Sequence, residues 1–406
     1  MTLLPSALEG IDVLDFTWAG AGPFSTRCLA EYGARVIKVE TRKRPDIGRL
    51  IPPFKDNINH PDRNLLFLHA NTSKLGITLN MTHPKGKEIA SKLASKVDIV
   101  IENFTPGVIG RLGLGYDDLK KIKPDIILVS SSIRGQTGPK SKFSGFGNAG
   151  AAISGHHMLT GWPDREPVPP GFVYADVVQP VFTTIAVMAA LDYRRRTGKG
   201  QYIDTTQVET MIQLISPAIL DYFANGRIQK PNGNRSSYAC PHAVFPCRGD
   251  ERWCTIAVFN EKEWQALCKV MDYPEWTSDG KFKTLDSRKA NEDELESLIS
   301  RWTINYERDD LANLLWKAGI TSGPVQGGED LVDKDPQLRT RESFKLLSHP
   351  FIGECNHPTQ PVRLSKSPAQ TRTSPCLGEH NKYVYTEFLG IPPEEYEELL
   401  KEGVFE

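Results

Sequence analysis

Apolar residues arrive in short bursts along this chain, and the bursts follow two alternating periods. Ile11-Asp12-Val13-Leu14-Asp15-Phe16 is a strand pattern broken by two aspartates. The small residues Ala19-Gly20-Ala21-Gly22-Pro23 make a turn, after which Phe24, Cys28 and Tyr32 recur at helical spacing. Gly33 ends that helix, and Arg35-Val36-Ile37-Lys38-Val39-Glu40 reads as a second strand. The result is a βαβ unit whose first turn can bring a ligand close to the backbone.

The alternation continues. Ile89, Leu93 and Val97 lie four apart on one helix face, and Ile99-Val100-Ile101 is a short buried strand. Residues 116–123 look helical, Pro124 stops them, and Ile126-Ile127-Leu128-Val129 is the next strand. Strands alternating with helices of this length predict a parallel sheet covered on both faces. Ligands of such sheets sit at the carboxyl ends of the strands, here 17–22, 40–44, 103–107 and 130–135. Residues 181–191 are apolar nearly all round, which predicts a buried helix with Pro180 in its first turn, Arg194, Arg195 and Arg196 at its end and Gly198 as its cap. Gln201-Tyr202-Ile203-Asp204 is a further strand, followed by a helix from Thr206 that kinks or ends at Pro217.

A polar stretch, 225–234, reads as a linker. Beyond it come a strand pair around Ala243-Val244-Phe245 and Thr255-Ile256-Ala257-Val258, then helices around 264–271, 292–302 and 309–317. The fold class is therefore α/β. A Rossmann-like, parallel-sheet large domain (1–224) is followed by a smaller α+β domain (225–335), and a C-terminal segment (336–406) returns to the large domain.

Composition narrows the function classes. The 406 residues are 39% hydrophobic and 24% charged with a net charge of −1. Nothing in that balance points to nucleic acid or a membrane surface as a partner. The seven cysteines form no CxxC pair, so Cys240, Cys247 and Cys254 are expected to be buried thiols and no metal is expected. Residues 1–10 lack the pattern of a secretory signal, and the apolar run 185–191 is too short to span a bilayer. The expectation is a cytoplasmic protein.

The first turn admits two chemistries. Gly20-x-Gly22 with Glu40 downstream resembles a nicotinamide dinucleotide fingerprint, but Ser25 stands where its third glycine belongs and Pro23 lies inside it. Coenzyme A is the other candidate. Seven segments, in order, support it: Val13-Leu14-Asp15-Phe16 with Ala21-Gly22-Pro23; Gly33-Ala34-Arg35-Val36-Ile37-Lys38-Val39-Glu40; Glu102-Asn103-Phe104 with Pro106-Gly107; Gly135-Gln136-Thr137-Gly138-Pro139; Thr197-Gly198-Lys199-Gly200-Gln201; Gly233-Asn234-Arg235; and Leu377-Gly378-Glu379-His380. Together they resemble the class III CoA-transferases, the CaiB/BaiF family of formyl-CoA and carnitine CoA-transferase-like enzymes.

The resemblance implies a catalytic aspartate at Asp176, in a loop just before the long helix. On the residues alone Asp176 reads as a loop or capping aspartate. A carboxylate there, with an ordinary pKa near 4, would be ionised at neutral pH and need no general base. The implied reaction is covalent. The carboxylate attacks an acyl-CoA thioester, CoA thiolate leaves and returns to form an aspartyl-CoA thioester, and an acceptor acid reverses the sequence through a second mixed anhydride. CoA is thus a substrate, and no tightly bound cofactor is expected. The resemblance also places Ala19, Gly20, Ala21, Leu79, Asn103, Phe104 and Arg111 at the CoA site, with Arg111 as a phosphate partner, and Arg42, Arg44 and Lys85 are further candidates to contact the CoA phosphates. Thr41 and Thr82 depart from the formyl-CoA transferase pattern, as does the lack of a four-glycine run, so formate and oxalate are not the expected acids.

Rival readings remain at this point. The same fold hosts 2-methylacyl-CoA racemases, which use a histidine with an aspartate. Their histidine position matches Phe146 here, with His156 and His157 some ten residues on. A non-catalytic subunit is another, and Asp176 speaks against it. The resemblance implies an interlocked dimer, either a homodimer or a heteromer with a related subunit. Residues 44–68 are a candidate substrate lid, and Trp18, Phe54 and His69 are candidates to shape the acyl pocket.

Overall fold

The computed structural model describes residues 5–406. Six parallel strands form one sheet in the order β3-β2-β1-β4-β5-β6. They are β1 (Asp12–Asp15), β2 (Arg35–Glu40), β3 (Leu75–Thr78), β4 (Ile99–Glu102), β5 (Ile127–Ser132) and β6 (Tyr202–Thr206). The order reverses between β1 and β4, which makes that point the natural crevice of a doubly wound sheet.

Strand alternation divides the core in two. Leu14, Ile37, Val100 and Leu128 face one way, against Ile89 and Leu93 of the helix Pro84–Lys96 and a C-terminal cluster of Tyr385, Tyr396 and Phe405. Val13, Val36, Ile99, Ile101, Ile127 and Val129 face the other, against Leu29 of the helix Ala21–Glu31 and Val187 and Ala190 of the helix Tyr174–Thr197. The C-terminal segment docks on β3: Tyr385 donates to the Thr78 carbonyl at 2.7 Å, and the Phe405 ring stacks 4.0 Å from Tyr385.

Two compact units emerge. The first holds 5–158, Val168–Gln229 and Gln337–Glu406; the second holds Leu159–Pro167 and Lys230–Pro336. The excursion Leu159–Pro167 was not legible as part of the second unit. It joins through a backbone bond from Gly233 to Gly161. The second unit has a three-stranded antiparallel sheet, β7 (His242–Pro246), β8 (Trp253–Ala257) and β9 (Thr321–Pro324). Helices Glu261–Val270, Glu292–Thr303 and Arg308–Lys317 pack on it around Trp264, Leu295 and Leu311. Cys240, Cys247 and Cys254 are buried free thiols. A hairpin, β10 (Phe344–His349) with β11 (Gly353–Pro358), belongs to the first unit.

Three expectations are corrected. The long helix begins at Tyr174, so Asp176 lies in its first turn and Pro180 lies inside it. That helix is not buried all round: Val177, Val181, Ile185 and Met188 are exposed along one face. By length and composition it is also apolar enough to cross a membrane, although Val187 and Ala190 pack into the sheet core. Residues 44–68 are not a free loop. Buried Arg49 pins them to Glu40, Asp62 and the Pro375 carbonyl.

Candidate active site

The carboxyl ends of all six strands open into one cleft of about 830 Å³. Phe16 and Trp18 to Ala21 follow β1, Thr41 to Pro45 except Arg42 follow β2, and Leu79 to Thr82 follow β3. Asn103 to Pro106 follow β4, Ser131 to Ile133 end β5, and Gln207 follows β6. A cleft at the strand ends is where this topology places ligands.

At the switch point, β1 and β4 are tied by one amide. Asn103 Oδ1 accepts from the Trp18 N–H and its Nδ2 donates to the Trp18 carbonyl, both at 2.8 Å. Both ends of the Asn103 amide are thereby engaged with backbone. The Phe104 ring stands edge-on to Trp18 at 6.2 Å. The next residue, Ala19, adopts a left-handed φ of 64°, a conformation disfavoured for alanine. Its N–H donates to Asp46 Oδ1 at 2.8 Å, and Asp46 Oδ2 pairs with Lys38 at 2.8 Å. Behind it, Lys74 contacts Asp15 at 3.1 Å. Burial alone would raise the Asp15 pKa, but Lys74, Lys38 and the hydroxyls of Thr17 and Thr26 together outweigh it and the net shift is downward. Burial pushes the Lys74 ammonium down to about 8. A buried charge network thus holds the turn that opens the cleft.

Asp176 sits in the cleft, its carboxylate almost wholly buried. Gln207 Nε2 donates to Oδ1 at 2.5 Å, and the Gly147 backbone N–H donates to Oδ2 at 3.3 Å. The Ala21 N–H also favours the ionised form. Ala21, Gly147 and Gln207 are each the first residue of a helix, and Asp176 is in the first turn of its own. Helix starts carry partial positive charge and unpaired N–H groups. Pro180 has no N–H to give to the Asp176 carbonyl, four residues back. Burial nevertheless dominates and raises the Asp176 pKa from the usual value near 4 to about 6. The ordinary pKa expected from the sequence is corrected: desolvation outweighs the donors, and at neutral pH the carboxylate is ionised by about ten to one.

The structure brings Asp176, Ala19, Gly20, Ala21, Leu79, Asn103 and Phe104 to this cleft. Leu79 is fully buried. Arg42 and Arg111 do not line it and are exposed. The cations that do are Lys43 and Arg44. Arg44 lies 5.5 Å over the Trp18 ring, and Lys43 pairs with Glu406 at 2.8 Å. Trp18 lines the cleft, whereas Phe54 bridges Asn64 and the half-buried His69 lies against Arg27. Gly147, Gln179 and Gln207 were not foreseen. Gln207 was findable, since it directly follows a strand end.

The arrangement disfavours the rival chemistries. Glu40, the ribose-binding acid of the dinucleotide reading, is buried and held by Arg49 at 2.9 Å. None of the described lining residues is a histidine. Phe146 fills the racemase position at the cleft, while His156 is buried beside Ser154 and the Tyr174 ring.

Comparison with known proteins agrees with this picture. The family described as CoA-transferase family III matches residues 8–381. Succinyl-CoA–D-citramalate CoA-transferase of Chloroflexus aurantiacus is 32% identical over 95% of this chain and 95% of its own. Succinyl-CoA:glutarate CoA-transferase of Mus musculus is 32% identical over 98% of this chain and 90% of its own. A crystal structure of a CAIB/BAIF family protein from Brucella suis superposes with a TM-score of 0.86 at 31% identity, covering 94% of this chain and 99% of that one. On the full-length match and the shared fold, this chain belongs to CoA-transferase family III and is a transferase enzyme acting on CoA thioesters.

Proposed function

We propose that the enzyme moves CoA from an acyl-CoA donor to a carboxylic acid through a covalent intermediate on Asp176. The observation that carries this reading is a buried carboxylate lining a cleft of about 830 Å³ and accepting hydrogen bonds from Gln207 and Gly147 that favour its ionised form. Oδ2 attacks the thioester carbonyl and CoA thiolate leaves. The thiolate then attacks the aspartyl carbonyl, releasing the donor acid and forming an aspartyl-CoA thioester. An acceptor carboxylate displaces the thiolate, and the thiolate takes the new acyl group from the second anhydride. Burial protects the anhydrides from water, and CoA held in the cleft keeps the thiolate at high effective concentration.

Succinyl-CoA is the proposed donor and a dicarboxylic acid the proposed acceptor. Support comes from relatives named for succinyl-CoA with citramalate, glutarate or malate. Lys43 and Arg44 are the proposed partners of the CoA phosphates. The exposed face of Val177, Val181, Ile185 and Met188 supports assembly with a second subunit, either a copy or a related chain.

The test is CoA exchange between succinyl-CoA and a panel of mono- and dicarboxylic acids, followed by mass spectrometry. Wild-type enzyme should transfer CoA to at least one dicarboxylic acid, and Asp176→Asn should not. Exchange by Asp176→Asn at the wild-type rate would refute the reading.

A further inference from the structure

We propose that Gln207 is a catalytic residue of the transfer: its amide N–H binds Asp176 Oδ1 and receives the negative charge that develops there whenever the aspartyl Cγ is attacked. This rests on the reading of Asp176 as the covalent carrier.

The geometry is specific. Gln207 is the first residue of the helix Gln207–Leu214, and Thr206 fixes that start by accepting the Glu209 N–H at 2.9 Å. An ionised carboxylate only accepts hydrogen bonds, so the end of the amide that faces Oδ1 must be Nε2. The other end, Oε1, is then driven against Gly150, where a Cβ would stand 2.8 Å away. Oε1 is buried and has no hydrogen-bond partner among the described residues. Such an orphaned acceptor is a standing cost to the fold. An aliphatic side chain of similar size would avoid that cost. The amide is accounted for by what Nε2 does at Asp176.

Oδ1 takes the short bond from Gln207, at 2.5 Å, while Oδ2 has only the 3.3 Å contact from the Gly147 N–H, which leaves Oδ2 the attacking atom. In the first step an Oδ2 lone pair forms the bond to the thioester carbon, and the C–S pair leaves with CoA thiolate. In the resulting anhydride, Cγ is double-bonded to Oδ1. The thiolate adds to Cγ and the C=O pair moves onto Oδ1, opposite the Gln207 N–H. The Cγ–Oδ2 bond then breaks, and the donor acid leaves as a carboxylate. Acceptor attack on the aspartyl thioester puts charge on Oδ1 again as the thiolate departs. No proton is transferred in these steps, so a donor that cannot ionise suits them. This is an oxyanion site for the carrier's own carbonyl rather than the substrate's.

The test compares wild type with Gln207→Leu and Gln207→Met, which keep bulk and remove the donor, after circular dichroism confirms folding. We expect kcat for transfer to fall about 10²- to 10³-fold with KM for acyl-CoA unchanged. The acid limb of the kcat/KM profile should move to higher pH. The ratio of donor hydrolysis to transfer should rise, because the first anhydride waits longer for the thiolate. A folded variant with wild-type kcat would overturn the inference, as would a slower one with an unchanged pH limb and hydrolysis ratio. Should Asp176→Asn be inactive while both Gln207 variants are unimpaired, only the role of Gln207 fails. Full exchange by Asp176→Asn would remove the carrier reading and this inference with it.

Discussion

The Gly147 backbone N–H points at Asp176 Oδ2 from 3.3 Å, and a Cβ on Gly147 would stand 2.6 Å from the same oxygen. Glycine is required there by space. Gly147 starts a helix, where alanine is well tolerated. The same Cβ would stand 3.0 Å from the Asp176 backbone N, so Gly147→Ala should cost about 1–3 kcal/mol by overpacking, while displacement of the carboxylate should lower CoA transfer roughly 10²-fold, more than that stability loss accounts for. Steady-state exchange beside a thermal melt checks the separation. Equal losses in both would contradict it.

Acidity at Asp176 links activity and stability with opposite signs. Protonation, centred at about 6, removes the nucleophile, so kcat/KM should fall below that pH with a single-proton limb. The folded state binds this proton more tightly than the unfolded chain does. The stability contributed by this group is therefore fully present below about pH 4 and is lost as pH rises through about 6, by roughly 3 kcal/mol at most. Asp176→Asn should be inactive yet more stable than wild type at pH 7 to 8, with little gain at pH 4. Urea midpoints across this range decide it.

Arg49 carries the floor of the cleft. It donates to both Glu40 oxygens, at 2.9 Å each, and to Asp62 at 2.6 Å, with its guanidinium 3.4 Å over the Phe67 ring. The neighbouring residues Arg44, Pro45, Ile47 and Leu50 line the cleft. Arg49→Met would strand a buried Glu40, and we expect a loss of roughly 3–5 kcal/mol. Denaturant unfolding measures it, and a change below about 1 kcal/mol, as for a surface pair, would contradict the assignment.

Lys43 and Arg44 are the cations at the cleft. The double change Lys43→Ala, Arg44→Ala should raise KM for acyl-CoA several-fold and leave KM for the free acid unchanged. Added salt should weaken wild-type binding more than it weakens the variant. Equal effects on both substrates would place the phosphates elsewhere.

Much of the large sheet was legible because β1, β2, β4 and β5 are apolar runs bounded by turns. β3 was not, since Leu75–Thr78 contains a glycine and only two strongly apolar side chains. Its Gly76 lies against Pro375, a contact no local pattern announces. The β10–β11 hairpin is largely polar, and its ladder of pairs, not its periodicity, defines it. Asp176 was located through the family resemblance, while its helix was misread because Pro180 looks like a start. Gln207 reaches Asp176 across 31 positions, and residue spacing carries no signal of that contact.

The most direct measurement mixes enzyme with succinyl-CoA alone, quenches during turnover with hydroxylamine or borohydride, and maps the modified peptide by mass spectrometry. The account predicts a hydroxamate, or reduction to homoserine, at Asp176. Exchange that proceeds with Asp176 never modified would contradict it.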